Sequence, residues 1–481
     1  MIARARPYLL PFAIFLLGLA LRLYRLGDNS FWLDEAGVAL AARAETLGGM
    51  LSVVRSHVLA MPLDYLVVWL VGRVDTSEFA LRLPAALWGA FSLPLAYALY
   101  RRFIPRAPAL LGMLILALAP LHIQYSQELR FYASLVFFHL LATLLLWHAV
   151  QNPAPRRWVL FTLAAIIGVY FHPYVLLCFA TGAVWLLQLG LRAEPARERR
   201  IGLLASGLAV LVAFLIGYVT FSASNTFAIP LMAMVESPVG AVLAGLGWLP
   251  FYAVQPGVDW LWGAVLAVLQ IAGIVLIARR SVRSGAAGLI LGTLLQGAAV
   301  LLSDVVGHYF FAPRQWIFLL PALCMAAGVG VDAAARALNR AVGRGSPRLG
   351  YAIAALALVL VALPAIRAYQ QDDKGDSRAL VRAILTEWQP GSNVLVYPSY
   401  EGYVYKYYLD YTDPVPEAAE RVWGVTWNDL RQLGAWGSQA WLITPARLSQ
   451  AETAELRSLG FAPVFHSKEE SQYAKTLWLK P

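Results

Sequence analysis

A chain of 481 residues with 59% hydrophobic and only 14% charged positions is not an ordinary soluble protein, in which roughly a quarter of residues are charged. The formal net charge of +10 rests largely on Arg, but no basic segment has the length and aromatic interleaving that nucleic acid requires, so nucleic-acid binding is excluded too. What remains is a polytopic α-helical membrane protein, because the apolar runs repeatedly approach the length that crosses a bilayer.

In chain order the apolar runs predict about eleven spans, at 7–26, 80–100, 107–121, 133–150, 158–174, 175–191, 201–221, 259–278, 285–302, 315–334 and 349–369. Arg4 and Arg6 before the first run resemble a signal peptide. Arg22, Tyr24 and Arg25 then stand where a small-x-small cleavage site would be, so the run reads as a retained helix. The run from Val58 to Val74 holds Pro62 and Asp64 and is expected to lie at the membrane interface or dip into it. His172-Pro173 predicts a break between the fifth and sixth spans or a kink within a single element, because Pro cannot continue a regular helical ladder. Gly328-x-Gly330 lacks a preceding strand and reads as helix packing rather than a nucleotide fingerprint. Cys178 and Cys324 lie inside apolar runs and read as small packing residues.

Arg sets the expected topology. One set of loops carries Arg4 and Arg6; Arg101, Arg102 and Arg106; Arg156 and Arg157; Arg192, Arg197, Arg199 and Arg200; Arg279, Arg280 and Arg283; Arg336, Arg340, Arg344 and Arg348. The alternate loops are far poorer in Arg, so the N-terminus is expected in the cytoplasm of a plasma (inner) membrane protein. Loops 27–57, 119–132, 222–258 and 303–314 then face outward, and so does the tail if the span count is odd. The expected division is a transmembrane domain at 1–369, with 27–57 as its first outward loop, and a small extracytoplasmic α/β domain at 370–481. In that tail, Asp372-Asp373-Lys374-Gly375-Asp376 reads as a linker and Ser377–Trp388 as a helix. Asn393–Tyr397, Ala440–Thr444 and Lys475–Leu479 read as strands, and Ser449-x-x-Glu452 as a capping box opening a helix that stops at Gly460.

The chemistry-bearing residues lie in the outward loops. Phe31-Trp32-Leu33-Asp34-Glu35-Ala36 sets two carboxylates behind an aromatic anchor. Taken alone the pair reads first as a helix N-terminus, where free amides favour acids. The functional reading is a general base: a carboxylate near low dielectric gains proton affinity and can accept a proton from an attacking hydroxyl. Glu128 and Arg130, in Gln124-Tyr125-Ser126-Gln127-Glu128-Leu129-Arg130-Phe131-Tyr132, read as an ion pair capping the next span or as an Arg that binds phosphate while Glu128 holds it. Arg314, in the segment from His308 through Tyr309 to Trp316, is an outward Arg beside an apolar span. It either snorkels or anchors an anion. His172 reads as a structural residue or a site residue. Asp64, costly in an apolar run, is a site candidate, and His57 a weaker one. No metal-ligand spacing is present. No P-loop or cytoplasmic Asp-x-Asp segment suggests a nucleotide-sugar donor, so a lipid-linked donor fits better.

These segments resemble the GT-C membrane glycosyltransferases, the protein O-mannosyltransferase-like and aminoarabinose-transferase-like enzymes. Phe-Trp-Leu-Asp34-Glu35-Ala looks like their early Asp-Glu motif. Met61-Pro62-Leu63-Asp64-Tyr65 looks like a Pro-Leu-x-Tyr segment, and Ser77–Pro84 opens the second span as in the family. Tyr125–Tyr132 resembles a Ser-x-Glu-x-Arg-x-Tyr loop, His172 a Thr-His-Tyr position, and Arg314 a late Arg-Tyr motif in which Gln315 replaces Tyr. Ala60-Met61 departs from the acidic-basic pair of the aminoarabinose branch, which puts a zinc or phosphate role there in doubt. The resemblance covers roughly residues 7–334 and implies an inverting transfer from a polyprenyl-phosphate sugar to a glycan, glycolipid or protein acceptor. It implies Asp34 and Glu35 as catalytic residues and Arg130 and Arg314 as phosphate ligands, with Glu128, Tyr132, Asp64, His172, Tyr309 and His57 in support. It calls for no certain cofactor, although a divalent cation is compatible with it. The competing readings are a lipid-linked oligosaccharide polymerase or ligase, a transporter or flippase, and a scaffold whose function lies in 370–481. The first would not need the early Asp-Glu pair, and the second predicts internal repeats that are not seen.

Overall fold

The computed structural model describes residues 8–57, 60–191, 197–221, 260–307, 313–341, 347–371, 376–411, 415–432, 439–467 and 474–481. Arg4, Arg6, Tyr309, most of the linker expected at 372–376 and the outward loop expected at 222–258 lie outside these residues. The contacts divide the chain into two units. A helical unit holds Met1–Tyr24, Val54–Val67 and Arg82–Tyr369, and a loop-and-tail unit holds Arg25–Val53, Val68–Leu81 and Gln370–Pro481. The contacts group Arg25–Val53, most of the expected loop 27–57, with the tail.

The helices that lead to the site are α1 (Leu9–Leu23), α2 (Leu33–Arg43), α3 (Leu47–Ser56), α4 (Pro62–Gly72), α5 (Glu78–Tyr100), α6 (Arg106–Leu118), α7 (Pro120–Ser126), α8 (Tyr132–Gln151) and α9 (Pro155–Phe171). A 3-10 turn at Pro173–Leu177 leads into α10 (Cys178–Gly190), followed by α11 (Arg197–Phe221), α12 (Trp260–Arg280) and α13 (Gly285–Gly307). A second 3-10 turn, Pro313–Leu319, leads into α14 (Leu320–Ala341), and α15 (Pro347–Gln371) follows.

Among the described residues, eight helices are long and apolar enough to cross a membrane, and nine if α6 and α7, bent by 56° about Ala119, count as one span. The remaining two of the eleven expected spans correspond to α1, with 15 residues, and α9, with 17. At about 1.5 Å per residue both fall short of a hydrocarbon core roughly 30 Å thick. Each is stopped by local geometry: Tyr24 is extended before Arg25 turns to a positive φ of 57°, and His172 is extended before Pro173. The run at 58–74 yields only the 11-residue α4, too short to span.

Glycines set the packing in the helical unit, as Gly328-x-Gly330 suggested. Gly112 faces Cys324 and Met325, and Gly328 faces Pro108 and Gly112, so α14 runs antiparallel to α6. Gly273 faces Ala326 and Gly330 faces Leu269, so α14 runs antiparallel to α12 as well. Such Cβ-free faces let two backbones touch.

In the tail, α16 (Ser377–Thr386), β1 (Asn393–Val396), α17 (Gly402–Tyr411), α18 (Pro416–Glu420), β2 (Val422–Gly424), α19 (Trp427–Arg431), β3 (Ala440–Pro445), α20 (Gln450–Ser458), β4 (Ala462–His466) and β5 (Lys475–Lys480) build the α/β fold. The sheet order is β2-β1-β3-β5-β4; β1 is parallel to β2 and β3, while β5 is antiparallel to β3 and β4. Leu395, Leu442, Leu456, Phe461 and Trp478 fill its core. The expected capping box forms, with Ser449 and Glu452 exchanging bonds, and Gly460 stops α20 at a φ of +90° that only Gly adopts cheaply.

Candidate functional site

The predicted residues fall into two clusters, one in each unit.

The cluster of the helical unit is built on the turn 127–131 between α7 and α8. Pro120 opens α7 and ends the ladder of α6, which leaves carbonyls at the end of α6 in need of donors. Arg22, fully buried near the end of α1, supplies them. Its Nη1 donates to Gly18 O and Ala117 O at 2.8 and 3.3 Å, and its Nη2 donates to Leu116 O at 3.5 Å and to His122 Nδ1 at 2.6 Å. Gln127 Nε2 in turn donates to the carbonyls of Leu21, Arg22 and Tyr24. Arg22 and His122 escaped the sequence reading as contributors, although an ionisable group inside an apolar run was the available signal.

On that support sit Arg130, Phe131 and Tyr132. The Arg130 guanidinium lies 4.8 Å from the Phe131 ring centroid and 6.0 Å from that of Tyr132. Arg314, from the 3-10 turn before α14, donates from Nε to the Tyr132 hydroxyl at 2.9 Å. Tyr132 therefore carries a guanidinium on its ring face and another at its hydroxyl. Asp64, in the first turn of α4, accepts from Ser134 Oγ at 3.5 Å. Burial pushes its carboxyl up to about 6, against the opposing pull of Arg130 and of Ser134. His172 stacks near Phe131, with centroids 4.5 Å apart, and near Tyr174 at 4.6 Å. Its Nδ1 accepts the Tyr174 N–H at 3.1 Å, so the neutral ring carries its proton on Nε2. Glu128 is buried and accepts from Gln124 Nε2 at 3.3 Å. His57 faces the Tyr65 ring, and its Nδ1 lies 3.2 Å from Ser56 Oγ, so it belongs to the approach to α4 rather than to the Tyr132 group. Among the described residues no group of three or more His, Cys, Asp or Glu converges to hold a metal ion.

The cluster of the loop-and-tail unit is built on the start of α2. Trp32 is its extended N-cap, which places Asp34 and Glu35 in the first turn. The two carboxylates separate by environment. Glu35 is wholly buried, and its Oε2 accepts the Trp32 N–H at 3.4 Å, closing the turn from inside. Asp34 is half-buried. The far end of α2 is held as firmly: Trp69 Nε1 donates to Ala44 O at 2.8 Å, and Arg73 Nη2 to Ala42 O and Ala44 O at 2.9 and 2.7 Å. A Cβ on Gly72 would come within 2.7 Å of Ala42, so Gly is required where the end of α4 meets α2.

The tail holds the front of α2. Tyr408 of α17 accepts the Phe31 N–H at 2.6 Å and donates to Glu78 Oε1 at 3.1 Å. Arg378 of α16 donates its backbone N–H to Ser30 Oγ at 3.1 Å and a guanidinium N–H to Asp28 O, and it pairs with Glu78 at 3.5 Å. Phe31 meets the Tyr407 ring edge-on at 5.7 Å, and Arg43 lies 4.9 Å from the Tyr411 ring centroid. These bonds are why most of the first loop clusters with the tail.

Comparison with known proteins supplies the rest. The family model described as dolichyl-phosphate-mannose-protein mannosyltransferase matches residues 60–218, the stretch that carries Asp64, Arg130, Tyr132 and His172. YkcB of Bacillus subtilis (strain 168), provisionally named a mannosyltransferase, is 32% identical over 133 residues, which is 27% of this chain and 18% of YkcB. The chain therefore matches less than a fifth of that relative. Crystal structures of ArnT from Cupriavidus metallidurans share the fold over 98% of this chain. The apo form covers 97% of ArnT, with a TM-score of 0.62 at 12% identity. The form bound to undecaprenyl phosphate covers 98% of ArnT, with 0.60 at 13%. The oligosaccharyltransferase AglB from Archaeoglobus fulgidus, in complex with an inhibitory peptide and a dolichol-phosphate, has a TM-score of 0.51 at 12% identity over 83% of this chain and 63% of AglB. The family model thus matches the stretch that holds most of the first cluster, and the fold is shared with ArnT across nearly the whole chain.

Proposed function

We propose that the chain is an inverting glycosyltransferase that moves a sugar from a polyprenyl-phosphate carrier to an acceptor hydroxyl at the outer face of the plasma membrane. The observation that carries the reading is the placing of Arg130 and Arg314 on one tyrosine. Two guanidinium groups set close together repel unless an anion lies between or beside them, and planar forks of donors suit phosphate oxygens. Asp64 lies beside Arg130, and burial raises its carboxyl to about 6, so it offsets less of the Arg130 charge at and below that pH. The lipid phosphate bound to ArnT, the undecaprenyl phosphate named in that structure, is an anion of the kind this pair would take.

In this reading Asp34 accepts the proton of the acceptor hydroxyl. The oxygen attacks the anomeric carbon from the face opposite the phosphate, the bond from carbon to phosphate oxygen breaks, and its electron pair leaves with the phosphate. Arg130 and Arg314 stabilise that charge, so the leaving group needs no proton. Glu35, which closes the turn on Trp32, positions Asp34 or the acceptor. Tyr132 holds Arg314, and Asp64 and His172 flank Arg130 and Phe131. The N-terminus is cytoplasmic and the tail extracytoplasmic, and the acceptor is a glycan, a glycolipid or a protein hydroxyl.

The test is to incubate purified protein with a set of radiolabelled polyprenyl-phosphate sugars and membrane acceptors and to trace the label. Label should move from one donor class to an acceptor, leaving polyprenyl phosphate. Folded protein that transfers from none of them would defeat the assignment, and an active Asp34→Asn variant would defeat the base.

A further inference from the structure

No tail residue takes part in the proposed transfer, yet the tail's hydrogen bonds converge on the turn that presents Asp34. Phe31 is the residue before the N-cap of α2, and its N–H is buried. Buried backbone donors are nearly always paired, and a helix takes its direction from how the chain runs into its N-cap. Here the partner comes from 377 residues away: the Tyr408 hydroxyl accepts from Phe31 and passes its own proton toward Glu78 Oε1. Arg378 then closes a ring. It bonds Ser30 and Asp28 on one side and pairs with Glu78 on the other, while Asp376, the N-cap of its own helix, lies 3.4 Å from the Ser30 hydroxyl. Three consecutive loop residues are thus each tied: Ser30 by the Asp376 carboxylate and the Arg378 backbone N–H, Phe31 by the Tyr408 hydroxyl, and Trp32 by the Glu35 carboxylate. The back end of α2 is fastened by Trp69 and Arg73, so α2 is clamped at both ends. Such over-determination exceeds what tethering a domain requires, since one strut would suffice.

We infer that the tail is a positioning device for the reaction: the Phe31–Tyr408–Glu78–Arg378 ring sets the angle at which the chain meets α2, and so places the Asp34 carboxylate against the acceptor hydroxyl. Tyr408 is a positioning residue that acts through the backbone of Phe31. The inference rests on the assignment of Asp34 as base, and it explains why a transferase site inside the first outward loop is completed by residues after 370.

The experiment uses the full-length protein in lipid nanodiscs, with two independent readouts on Tyr408→Phe, Glu78→Gln and Tyr408→Phe/Glu78→Ala. The first is amide hydrogen exchange over residues 28–36. Tyr408→Phe should speed exchange at Phe31 by about tenfold or more while the tail sheet stays protected. The second is steady-state transfer, in which Tyr408→Phe should lower kcat about tenfold with donor KM unchanged within about twofold. Glu78→Gln keeps an oxygen for the Tyr408 hydroxyl and should retain most of kcat. The double variant should fall little further than Tyr408→Phe, because both act through one ring. Faster exchange with unaltered kcat would reduce the ring to a tether and overturn the inference. Unchanged exchange at Phe31 overturns it too. A donor KM effect without a kcat effect also counts against it. If Tyr408→Phe does not fold, Ser30→Ala removes a strut from the loop side and faces the same two readouts. An active Asp34→Asn sinks the functional assignment, whereas the exchange result reports on the ring alone, so the two failures are distinguishable.

Discussion

The two clusters are built in opposite ways. Around Tyr132, the charged groups come from helix ends and short turns packed on one aromatic floor, and the turn 127–131 is propped from below by Arg22 and Gln127. Around Asp34, a short helix of modest apolar content is clamped by segments far apart in the chain, from Asp28 to Tyr408. The first cluster gathers positive charge beside aromatic rings, an arrangement that suits a ligand arriving with its own negative charge. The second fixes the direction of a carboxylate. Binding charge tolerates some slack, because Coulomb attraction falls off slowly with distance. A proton transfer does not, because it needs hydrogen-bond contact. The difference in construction matches the difference between the two tasks proposed for them.

That contrast can be broken by experiment. The largest effect is expected at Asp34. Its conversion to Asn should lower kcat by about 10²–10⁴-fold with expression and melting temperature preserved, the range in which a general base contributes. Next comes the phosphate pair. Arg314→Ala should cost about 10²-fold in kcat/KM, and Arg314→Lys should recover little, since Lys cannot bond the Tyr132 hydroxyl and a phosphate with one planar fork. Equal activity of the Lys variant would show that only charge is needed there. Smaller again is Glu35. Glu35→Gln keeps an oxygen for the Trp32 N–H and should remain active, whereas Glu35→Ala should lose about 1 kcal/mol of stability and part of kcat. A Gln variant as inactive as Asp34→Asn would mean that Glu35 itself handles a proton.

The smallest effect is a pH dependence. The Asp64 carboxyl is raised from 3.8 to about 6, so folding favours its protonated form. The charged form therefore weakens the fold as pH rises from about 4 through 6, and the penalty is complete above that window. Asp64→Asn, which keeps an oxygen for Ser134, should be more stable than the parent above pH 6 by about 1–3 kcal/mol and equal to it near pH 4. As Asp64 ionises it also cancels part of the Arg130 field, so donor KM should rise a few-fold through pH 6, and this rise should vanish in the Asn variant. A melting comparison and a KM profile across pH 4–8 check both.

Much of the tail was legible in the sequence because its signals are local. The helix at Ser377, the strands at Asn393, Ala440 and Lys475, and the box at Ser449 each follow from a handful of adjacent residues. What went unread had weak local pattern. The strand β2 is three residues at a sheet edge, β4 is largely exposed and contains Pro463, and the run of tyrosines in α17 does not alternate or repeat in a telling way. The same holds for the spans. Each of the eleven apolar runs holds a helix, but α1 and α9 stop at an extended Tyr24 and His172, and hydropathy is blind to a single residue's φ and ψ.

The sequence by itself determined that this chain is a membrane protein with a small α/β tail, and it singled out Asp34, Glu35, Arg130, Arg314, Asp64 and His172, because apolar length, turn chemistry and misplaced charge are all properties of short stretches. Only the tertiary structure decided that Arg130 and Arg314 share Tyr132, that Glu35 faces inward as a cap, that Arg22 carries the broken end of α6, and that the first loop belongs with the tail. Each of these depends on a bond between residues about 100 to nearly 400 positions apart, or on which way a side chain turns, and no period or motif records either.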